Sequence, residues 1–227
     1  MNRFYRFPHT PHLEWVGAGS PRYDKIMSPH DACILLKTNL IVEEKVDGAN
    51  LGFSINDNGE FCAQSRGSFL SFDSLVGQWK PLRRWVNDRR AAIAEAIFPD
   101  LVIFGEWCYA KHSIKYTNLP DWFLAFDVYD KRKSEFWCTN RRDSLVNSLG
   151  LSVVPRYGSG RFSLESLMSM TERSQLSVGP AEGVYVRHEE GGRLLSRAKL
   201  VREDFRQSIV GHWTKRPVEA NLLAQER

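Results

Sequence analysis

Residues 40–56 read LIVEEKVDGANLGFSIN, and this stretch decides the fold of the chain. Apolar and β-branched residues predict a strand over Leu40–Val46, and alternation predicts a second strand over Asn50–Asn56. The tight connection Asp47–Ala49 separates the two strands. Lys45 closes the first strand, so its ammonium group is expected at the edge of a sheet. A lysine is costly to desolvate there unless another group uses it, which makes this turn the first place to look for chemistry.

Strands joined by short turns continue along the rest of the chain. Asn56-Asp57-Asn58-Gly59 is a hairpin signal that leads into a third strand near Glu60–Ser65. Further strands are predicted over Leu101–Cys108, Phe123–Tyr129, Gly183–Val186 and Leu194–Leu200. Helices are predicted over Ser74–Phe98 (broken at Pro81), Thr139–Leu149, Leu164–Met170 and Val201–Val210. This order indicates an α+β fold of mostly antiparallel strands with flanking helices, with one domain over 1–210 and a C-terminal tail over 211–227.

Composition argues against several classes of protein. The chain has 227 residues, of which 42% are hydrophobic, so it is long enough to bury a substantial core. No apolar run approaches the ~18 residues that cross a bilayer, and the charged start MNRFYRFPHT is unlike a signal peptide. We therefore expect a cytoplasmic protein that contacts no membrane. CxxC, HExxH, GxGxxG and GxxxxGKS/T are all missing from the sequence, which disfavours zinc clusters, histidine-based metalloenzymes, Rossmann domains and P-loops.

The charge distribution is compatible with a polyanionic partner. The formal net charge is +4, from 31 Lys and Arg against 27 Asp and Glu. Basic residues cluster near aromatic ones at Arg83-Arg84, Arg89-Arg90, Lys131-Arg132-Lys133 and Arg141-Arg142. Such clusters contact nucleic-acid phosphates in some proteins and form a solvated face in others, and the sequence leaves both interpretations open.

Lys45 is the candidate nucleophile. Free lysine has a pKa near ~10.4, so only about one molecule in 10³ is neutral at pH 7. Burial and nearby cations are expected to lower the pKa of Lys45 and to expose the lone pair that attacks an electrophile. On Lys45–Gly48 alone, a solvated lysine beside a turn is the better interpretation, because short motifs often occur by chance.

Further motifs change that balance. Lys45-Val46-Asp47-Gly48 resembles the KxDG signature of the covalent nucleotidyltransferases, the superfamily of polynucleotide ligases and mRNA capping enzymes. The other motifs of the superfamily follow in order, as Ser65-Arg66-Gly67 (motif Ia), Phe104–Trp107 (motif III), Phe123–Val128 (motif IIIa), Ala181–Val186 (motif IV) and Arg197–Lys199 (motif V). Within the superfamily the chain is most similar to the ATP-dependent RNA ligases of the RNA ligase 2-like group. The resemblance covers roughly residues 40–205 and implies an antiparallel-sheet nucleotidyltransferase domain, of the ATP-grasp-like ligase adenylation type.

The resemblance also implies a role for each matching residue. Lys45 would attack the α-phosphorus of ATP and become a lysyl-adenylate. Glu44 would flank the adenine mainly through its backbone, and Phe126 would stack on the base. The other nucleotide contacts would come from Asn50, Arg66, Glu106, Glu182, Arg197 and Lys199, with Glu182 also placed to position Mg²⁺ or Mn²⁺. Phe126 as plain core and Arg66 as a plain surface residue remain open alternatives.

The implied function is an ATP-dependent RNA ligase that transfers AMP to a 5′-phosphate and seals that end to a 3′-hydroxyl. RNA ends, including nicked duplexes, would be the partners. A minimal DNA ligase or another polynucleotide adenylyltransferase would share the first step and differ afterwards. A non-catalytic nucleotide- or RNA-binding module would need no nucleophile, so the combination of Lys45, Glu106, Glu182 and Lys199 argues against it.

Two departures from the family pattern affect these expectations. Motif V usually carries two lysines, and here Arg197 takes the first position. Residues two apart on a strand share a face, so Arg197 and Lys199 should both point into the pocket or both point away, and the motif V resemblance implies the pocket. In addition, only 28 residues follow Lys199, too few for an OB domain or a full C-terminal domain. A protein partner that supplies such a domain is therefore an expectation.

Overall fold

The computed structural model describes residues 4–15, 26–203, 205 and 217–224. Its helices are α1 (Pro29–Leu36), α2 (Leu82–Asn87), α3 (Arg90–Ile97), α4 (Thr139–Ser148) and α5 (Leu164–Met170). Its strands are β1 (Leu40–Lys45), β2 (Ala49–Ile55), β3 (Phe61–Gln64), β4 (Phe69–Leu70), β5 (Leu101–Trp107), β6 (Phe123–Asp130), β7 (Glu135–Phe136), β8 (Ser152–Val153), β9 (Arg156–Gly160), β10 (Gly183–Glu190) and β11 (Arg193–Val201). The mixed helix and antiparallel-sheet fold predicted from the sequence is confirmed.

The strands form two sheets, and residues 40–56 join them. The first sheet has the order β11-β10-β1-β9 and is antiparallel throughout. The second has the order β4-β3-β2-β5-β6-β7, with β8 added parallel to β6. β1 belongs to the first sheet and β2 to the second, so the connection Val46–Gly48 crosses from one sheet to the other. The residues of this connection therefore lie at the seam between the sheets.

Each sheet buries one face against its own helices. In the first sheet, alternate apolar residues of β1 such as Leu40 and Val42 pack with Leu35 of α1 and Leu167 of α5. In the second sheet, the core side chains come from the strands and from α2 and α3, namely Leu51, Phe53, Ile103, Phe123, Trp85 and Ile93. Burial of this apolar surface is the main force that holds each layer together.

Buried ion pairs join the two sheets behind the seam. Glu43 of β1 pairs with Arg142 of α4 at 2.5 Å, and Arg187 of β10 pairs with Asp127 of β6 at 2.7 Å. All four side chains are at most 1% exposed. Since a buried charge without a partner is strongly destabilising, these pairs fix how β1 and β10 face β6 and α4.

Most predicted elements are confirmed to within two residues, and several differences have clear causes. In place of one broken helix over Ser74–Phe98, a 3₁₀ turn ends at Ser74, a second spans Gly77–Trp79, and α2 and α3 follow. The sequence patterns do not predict α1, β4, β7, β8 or β9. β9 reads RYGSG and is half exposed, so it lacks the apolar alternation that predicts a strand. The helix predicted over Val201–Val210 lies mostly outside the described residues.

The described part of the predicted tail is residues 217–224. This segment lies against the loop that follows β5, with a bridge between Ala110 and Ala220, and Asn221 is buried. The domain boundary at residue 210 stays a prediction. Among the described residues, no helix combines the length and the apolar character that crossing a bilayer requires.

Candidate active site

A cleft of about 710 Å³ opens at the seam between the two sheets. The turn after β1 forms its floor, and strands of both sheets and the N-terminal segment form its walls. The lining residues that the sequence analysis singled out are Glu44, Lys45, Asn50, Arg66, Glu106, Phe126 and Lys199. Seven of the nine predicted site residues, spread over more than 150 positions in the chain, are therefore brought to one cavity.

Lys45, which lines this cleft, forms an ion pair with Glu182, which does not itself line it. Lys45 Nζ donates to Glu182 Oε2 at 2.7 Å, and the two side chains are 25% and 10% exposed. The sheet register explains the contact, because Lys45 pairs with Gly183 at the start of β10 and Glu182 immediately precedes that strand. The pairing of two strands thus sets the position of the candidate nucleophile.

The carboxylates around Lys45 determine its protonation. Burial alone would lower the pKa of Lys45, but the nearby carboxylates of Glu182 and Glu106 outweigh it, so the pKa is raised. The expectation that burial and nearby cations lower this pKa is wrong for the protein without a nucleotide, because the groups closest to the ammonium are anions. Burial in turn raises the pKa of Glu182, and Lys45 only partly opposes that effect.

Gly48 lies where the backbone of the turn touches β5. Its amide donates to Glu106 Oε1 at 3.0 Å. A Cβ atom at position 48 would lie 2.7 Å from the carbonyl oxygen of Trp107, so only glycine fits without displacement of the backbone. Close approach therefore explains the glycine of the motif and places the Glu106 carboxylate beside the turn.

Asn50 offers an unused acceptor next to Glu106. The two residues are paired across β2 and β5. The side-chain oxygen of Asn50 is buried, yet no described group donates a hydrogen bond to it. Buried polar atoms are nearly always paired, so this oxygen fits a donor supplied by a ligand in the cleft.

Phe126 provides an apolar wall of the cleft. Its ring is half-buried and lies edge-on to Phe7 of the N-terminal segment, with 5.1 Å between the ring centroids. Its carbonyl oxygen accepts hydrogen bonds from Arg142 at 2.7 Å and from Arg187 at 3.2 Å. The buried ion pairs between the sheets therefore also fix the backbone that carries this ring.

Glu44 reaches the cleft without its carboxylate. That group accepts hydrogen bonds from Ser174 Oγ at 2.5 Å and from the Gln175 amide at 2.8 Å, in a buried site. Burial raises the pKa of Glu44, and these hydrogen bonds oppose the shift. With its carboxylate taken up by these hydrogen bonds, Glu44 is suited to a ligand contact made mainly through its backbone.

Arg66 and Lys199 add positive charge to opposite walls. Arg66 is exposed, and its Nη2 lies 2.9 Å from Nδ1 of His9. Lys199 lies in β11 opposite Tyr185 of β10, and both residues line the cleft. The cleft thus combines two cations, a lysine held by a carboxylate and an aromatic face.

Comparison with known proteins identifies the family of the chain. The family model for RNA ligases matches residues 38–201. The chain belongs to the RNA ligase family. The family predicted from the ordered motifs is therefore confirmed. A search of the curated proteins by sequence found no match.

Solved RNA ligases share the fold. A Naegleria gruberi RNA ligase with PPi is similar with a TM-score of 0.60 and 19% sequence identity, over 90% of this chain and 64% of that one. A variant of the same ligase with ATP and Mn gives 0.55 and 18%, over 75% and 51%. Another variant, with AMP and Mn, gives 0.59 and 17%, over 89% and 64%. The chain spans less than two thirds of the length of these ligases.

Arg197 was expected to point into the cleft and contact the nucleotide, and the structure places it outside the cleft. Its Nη1 donates to Asp127 Oδ2 at 2.8 Å, and the guanidinium group stacks over Phe7 and Phe136. It does not line the cleft, whereas Lys199 does. The two residues share a face of β11, but Arg197 lies opposite Arg187, within the buried ion pairs. The Asp127 carboxylate of β6 therefore neutralises the charge of Arg197.

The N-terminal segment forms a wall of the cleft that the sequence does not predict. Phe7, Pro8 and Thr10 line it, and Thr10 Oγ1 lies 3.0 Å from the hydroxyl oxygen of Tyr185. No strand or helix pattern marks residues 4–12, so nothing in the sequence indicated where they lie. His112, which also lines the cleft, belongs to a loop without a motif.

Replacing Glu106 with glutamine should weaken the dependence of stability on pH. Burial raises the pKa of Glu106 to about 8, against an ordinary value near ~4.3. Between these values the folded protein holds a proton that the unfolded chain has released. The free energy of unfolding therefore falls as the pH rises, by at most about 1.4 kcal/mol per pH unit. Glutamine has no such proton and keeps an oxygen for the Gly48 amide.

Urea unfolding between about pH 5 and pH 8 measures this difference. Glu95→Gln is the matched control, because Glu95 is an exposed carboxylate on α3. The unmodified protein and Glu95→Gln should lose stability in parallel as the pH rises, and Glu106→Gln should lose less. Three parallel curves would show that Glu106 is not held protonated in the cleft.

Proposed function

We propose that the protein is an ATP-dependent RNA ligase and that Lys45 is its nucleophile. Lys45 Nζ attacks the α-phosphorus of ATP, so that an N–P bond forms, the bond to the β-phosphate oxygen breaks and pyrophosphate leaves. AMP then passes to the 5′-phosphate of an RNA end. A 3′-hydroxyl finally attacks that phosphate and displaces AMP. The observation that carries the proposal is the Lys45–Glu182 pair at a cleft formed by the ordered motifs of a family member.

The cleft supports binding of an adenine nucleotide. Phe126 supplies an apolar face on which a base stacks. The unpaired oxygen of Asn50 and the neighbouring Glu106 carboxylate are acceptors suited to the hydroxyl groups of a ribose. Lys199 and Arg66 lie where cations would neutralise phosphate charge, and charge neutralisation with in-line positioning is the main requirement of phosphoryl transfer.

Lys45 must lose a proton before it attacks. In the protein alone, Glu182 holds it as an ammonium ion, which pre-positions Nζ but makes it a poor nucleophile. Glu182, which already accepts a hydrogen bond from Nζ, is the nearest group able to take that proton, and burial raises its pKa. The raised pKa makes the Glu182 carboxylate a better proton acceptor than an ordinary glutamate, as proton transfer from Lys45 requires.

The residues fit a divalent cation only together with a nucleotide. No group of three or more His, Cys, Asp or Glu side chains that could hold a metal ion by itself occurs in the part of the chain that the structure describes. Mg²⁺ in phosphoryl-transfer sites usually takes one or two carboxylates and completes its shell with phosphate oxygens and water. Glu182 is the carboxylate that would hold Mg²⁺ or Mn²⁺ here. The ion would neutralise phosphate charge and favour departure of pyrophosphate.

The domain description follows from the same proposal. Residues 1–210 would form an adenylation domain of the covalent nucleotidyltransferase type, related to the ATP-grasp-like ligases, and 211–227 its C-terminal segment. Protein partners that add a further nucleic-acid-binding domain belong to the proposal, as do RNA ends in nicked duplexes and a cytoplasmic location.

Incubation with labelled ATP and Mg²⁺ should attach AMP covalently to Lys45. Lys45→Ala should abolish the label, because alanine offers no nucleophile. Lys37→Ala should keep it, because Lys37 is an exposed lysine at the end of α1. Denaturing gels and peptide mass mapping locate the label, and parallel reactions with GTP and NAD test the choice of nucleotide.

Labelling of Lys45→Ala to the same extent as the unmodified protein would contradict the role of Lys45. Nucleotide binding without a covalent adduct in the unmodified protein would favour the non-catalytic binding module. Label from NAD in place of ATP would contradict the cofactor assignment.

Nick sealing should proceed faster with RNA than with DNA on the 3′-hydroxyl side. The assay uses matched nicked duplexes that differ only in the sugars of that strand, and it compares sealing rates at several salt concentrations. Exposed basic residues such as Arg83, Arg84 and Lys133 are suited to phosphate contacts, so binding should weaken steeply with added salt. Faster sealing of the all-DNA nick would favour a minimal DNA ligase.

A further inference from the structure

Residues 217–224, here called the clasp, hold the loop that follows β5. Ala220 bridges to Ala110, and Leu223 bridges to Leu119. Backbone hydrogen bonds add to these bridges at both ends of the loop, among them Lys111 N to Glu219 O at 2.8 Å and Ala224 N to Leu119 O at 2.7 Å. The clasp therefore grips both sides of the loop spanning residues 109–119.

Asn221 is the buried centre of the clasp. It is 1% exposed, and both ends of its side-chain amide are used. Its Oδ1 accepts from the Tyr116 amide at 2.9 Å, and its Nδ2 donates to the carbonyl oxygen of Cys108 at 2.8 Å. One side chain thus ties the start of the loop to its middle. A buried polar side chain with both groups paired specifies one arrangement of its neighbours.

The gripped loop in turn holds the turn after Lys45. The Asp47 amide donates to the hydroxyl oxygen of Tyr116 at 2.8 Å. The Asp47 carboxylate accepts from the amides of Ser113 at 2.7 Å and Ile114 at 3.1 Å. Tyr116 is fully buried, so its hydroxyl group is fixed by packing. A continuous set of contacts therefore runs from Asn221 through Tyr116 to a position two residues from the candidate nucleophile.

We propose that Asn221 and Tyr116 are positioning residues for adenylate formation and that the clasp is part of the catalytic domain. The inference rests on the proposed function, because it assigns these residues to the attack of Lys45 on ATP. The clasp fixes the turn, the turn fixes the end of β1, and the end of β1 aims Lys45 Nζ. The described bridges and hydrogen bonds of the clasp run to the loop after β5, and none of those described runs to Phe126. Loss of the clasp should therefore slow the chemistry more than it weakens ATP binding.

Single-turnover labelling with saturating ATP tests this role. Asn221→Ala removes both amide contacts, and Tyr116→Phe removes only the hydroxyl group that accepts from Asp47. Both variants should lower the rate constant of adenylate formation by about 10- to 100-fold, as expected for a misplaced reacting group, with little change in the ATP concentration at half-saturation. Glu219→Gln is the matched control in the clasp, because its ion pairs with Lys111 and Lys115 are exposed and contribute little.

The rate constant and the amplitude separate positioning from loss of folded protein. A variant that only unfolds more readily labels a smaller fraction of molecules at an unchanged rate constant. The double variant Asn221→Ala/Tyr116→Phe should be no slower than the slower single variant, because both changes interrupt the same set of contacts. Unchanged rate constants in both single variants would overturn the proposal, as would fully multiplicative losses in the double variant.

Hydrogen exchange provides a readout that does not depend on catalysis. The Asp47 amide should exchange faster in Asn221→Ala and in Tyr116→Phe than in Glu219→Gln, since its acceptor is displaced or removed. Equal exchange in all three variants would overturn the structural link. An unmodified protein that forms no adenylate would overturn the proposed function, whereas adenylate formed at the same rate by the clasp variants would overturn only the role of the clasp.

Discussion

The chain crosses between its two sheets within the three residues Val46–Gly48, and the site depends on this crossing. β1 is held in the first sheet by β10, and β2 is held in the second by β5, so neither end of the crossing can shift freely. Gly48 is needed because a side chain there would collide with the backbone of β5. Lys45 and Asn50 therefore flank the seam, one from each sheet. Both residues line the cleft.

The electrostatics of the cleft follow from the same geometry. The crossing places one lysine near three carboxylates, those of Glu182, Glu106 and Asp47, all of which raise the pKa of Lys45. The protein without ligand thus holds Lys45, the candidate nucleophile, as a paired ammonium ion in a defined position and in an unreactive form. In the proposed function, positive charge from Lys199, Arg66 and a metal ion would oppose this effect and would also offset the charge of the triphosphate. The same positive charges would then bind ATP and favour loss of the proton from Lys45.

Local patterns explain what the sequence could predict. Lys45, Glu106 and Glu182 lie at the ends of strands with clear apolar character, so both their elements and their place at a sheet edge could be anticipated. Arg197 shows the limit of that reasoning. Its two-residue spacing from Lys199 correctly predicts a shared face of β11. The spacing does not reveal that Arg197 forms an ion pair with Asp127, which is 70 residues away in the sequence. Residues 4–12 and the clasp escaped prediction because they act through backbone contacts and single side chains, without the periodicity that marks a helix or a strand.

A crystal structure with a non-hydrolysable ATP analogue and Mg²⁺ tests the central claim most directly, because it shows which atom the nucleophile faces. The account predicts that adenine stacks on Phe126, that a ribose hydroxyl donates to Asn50 Oδ1, and that the α-phosphorus faces Lys45 Nζ with the β-phosphate on its far side. A nucleotide bound outside the seam, or one bound in the cleft with its phosphates directed away from Lys45, would contradict it.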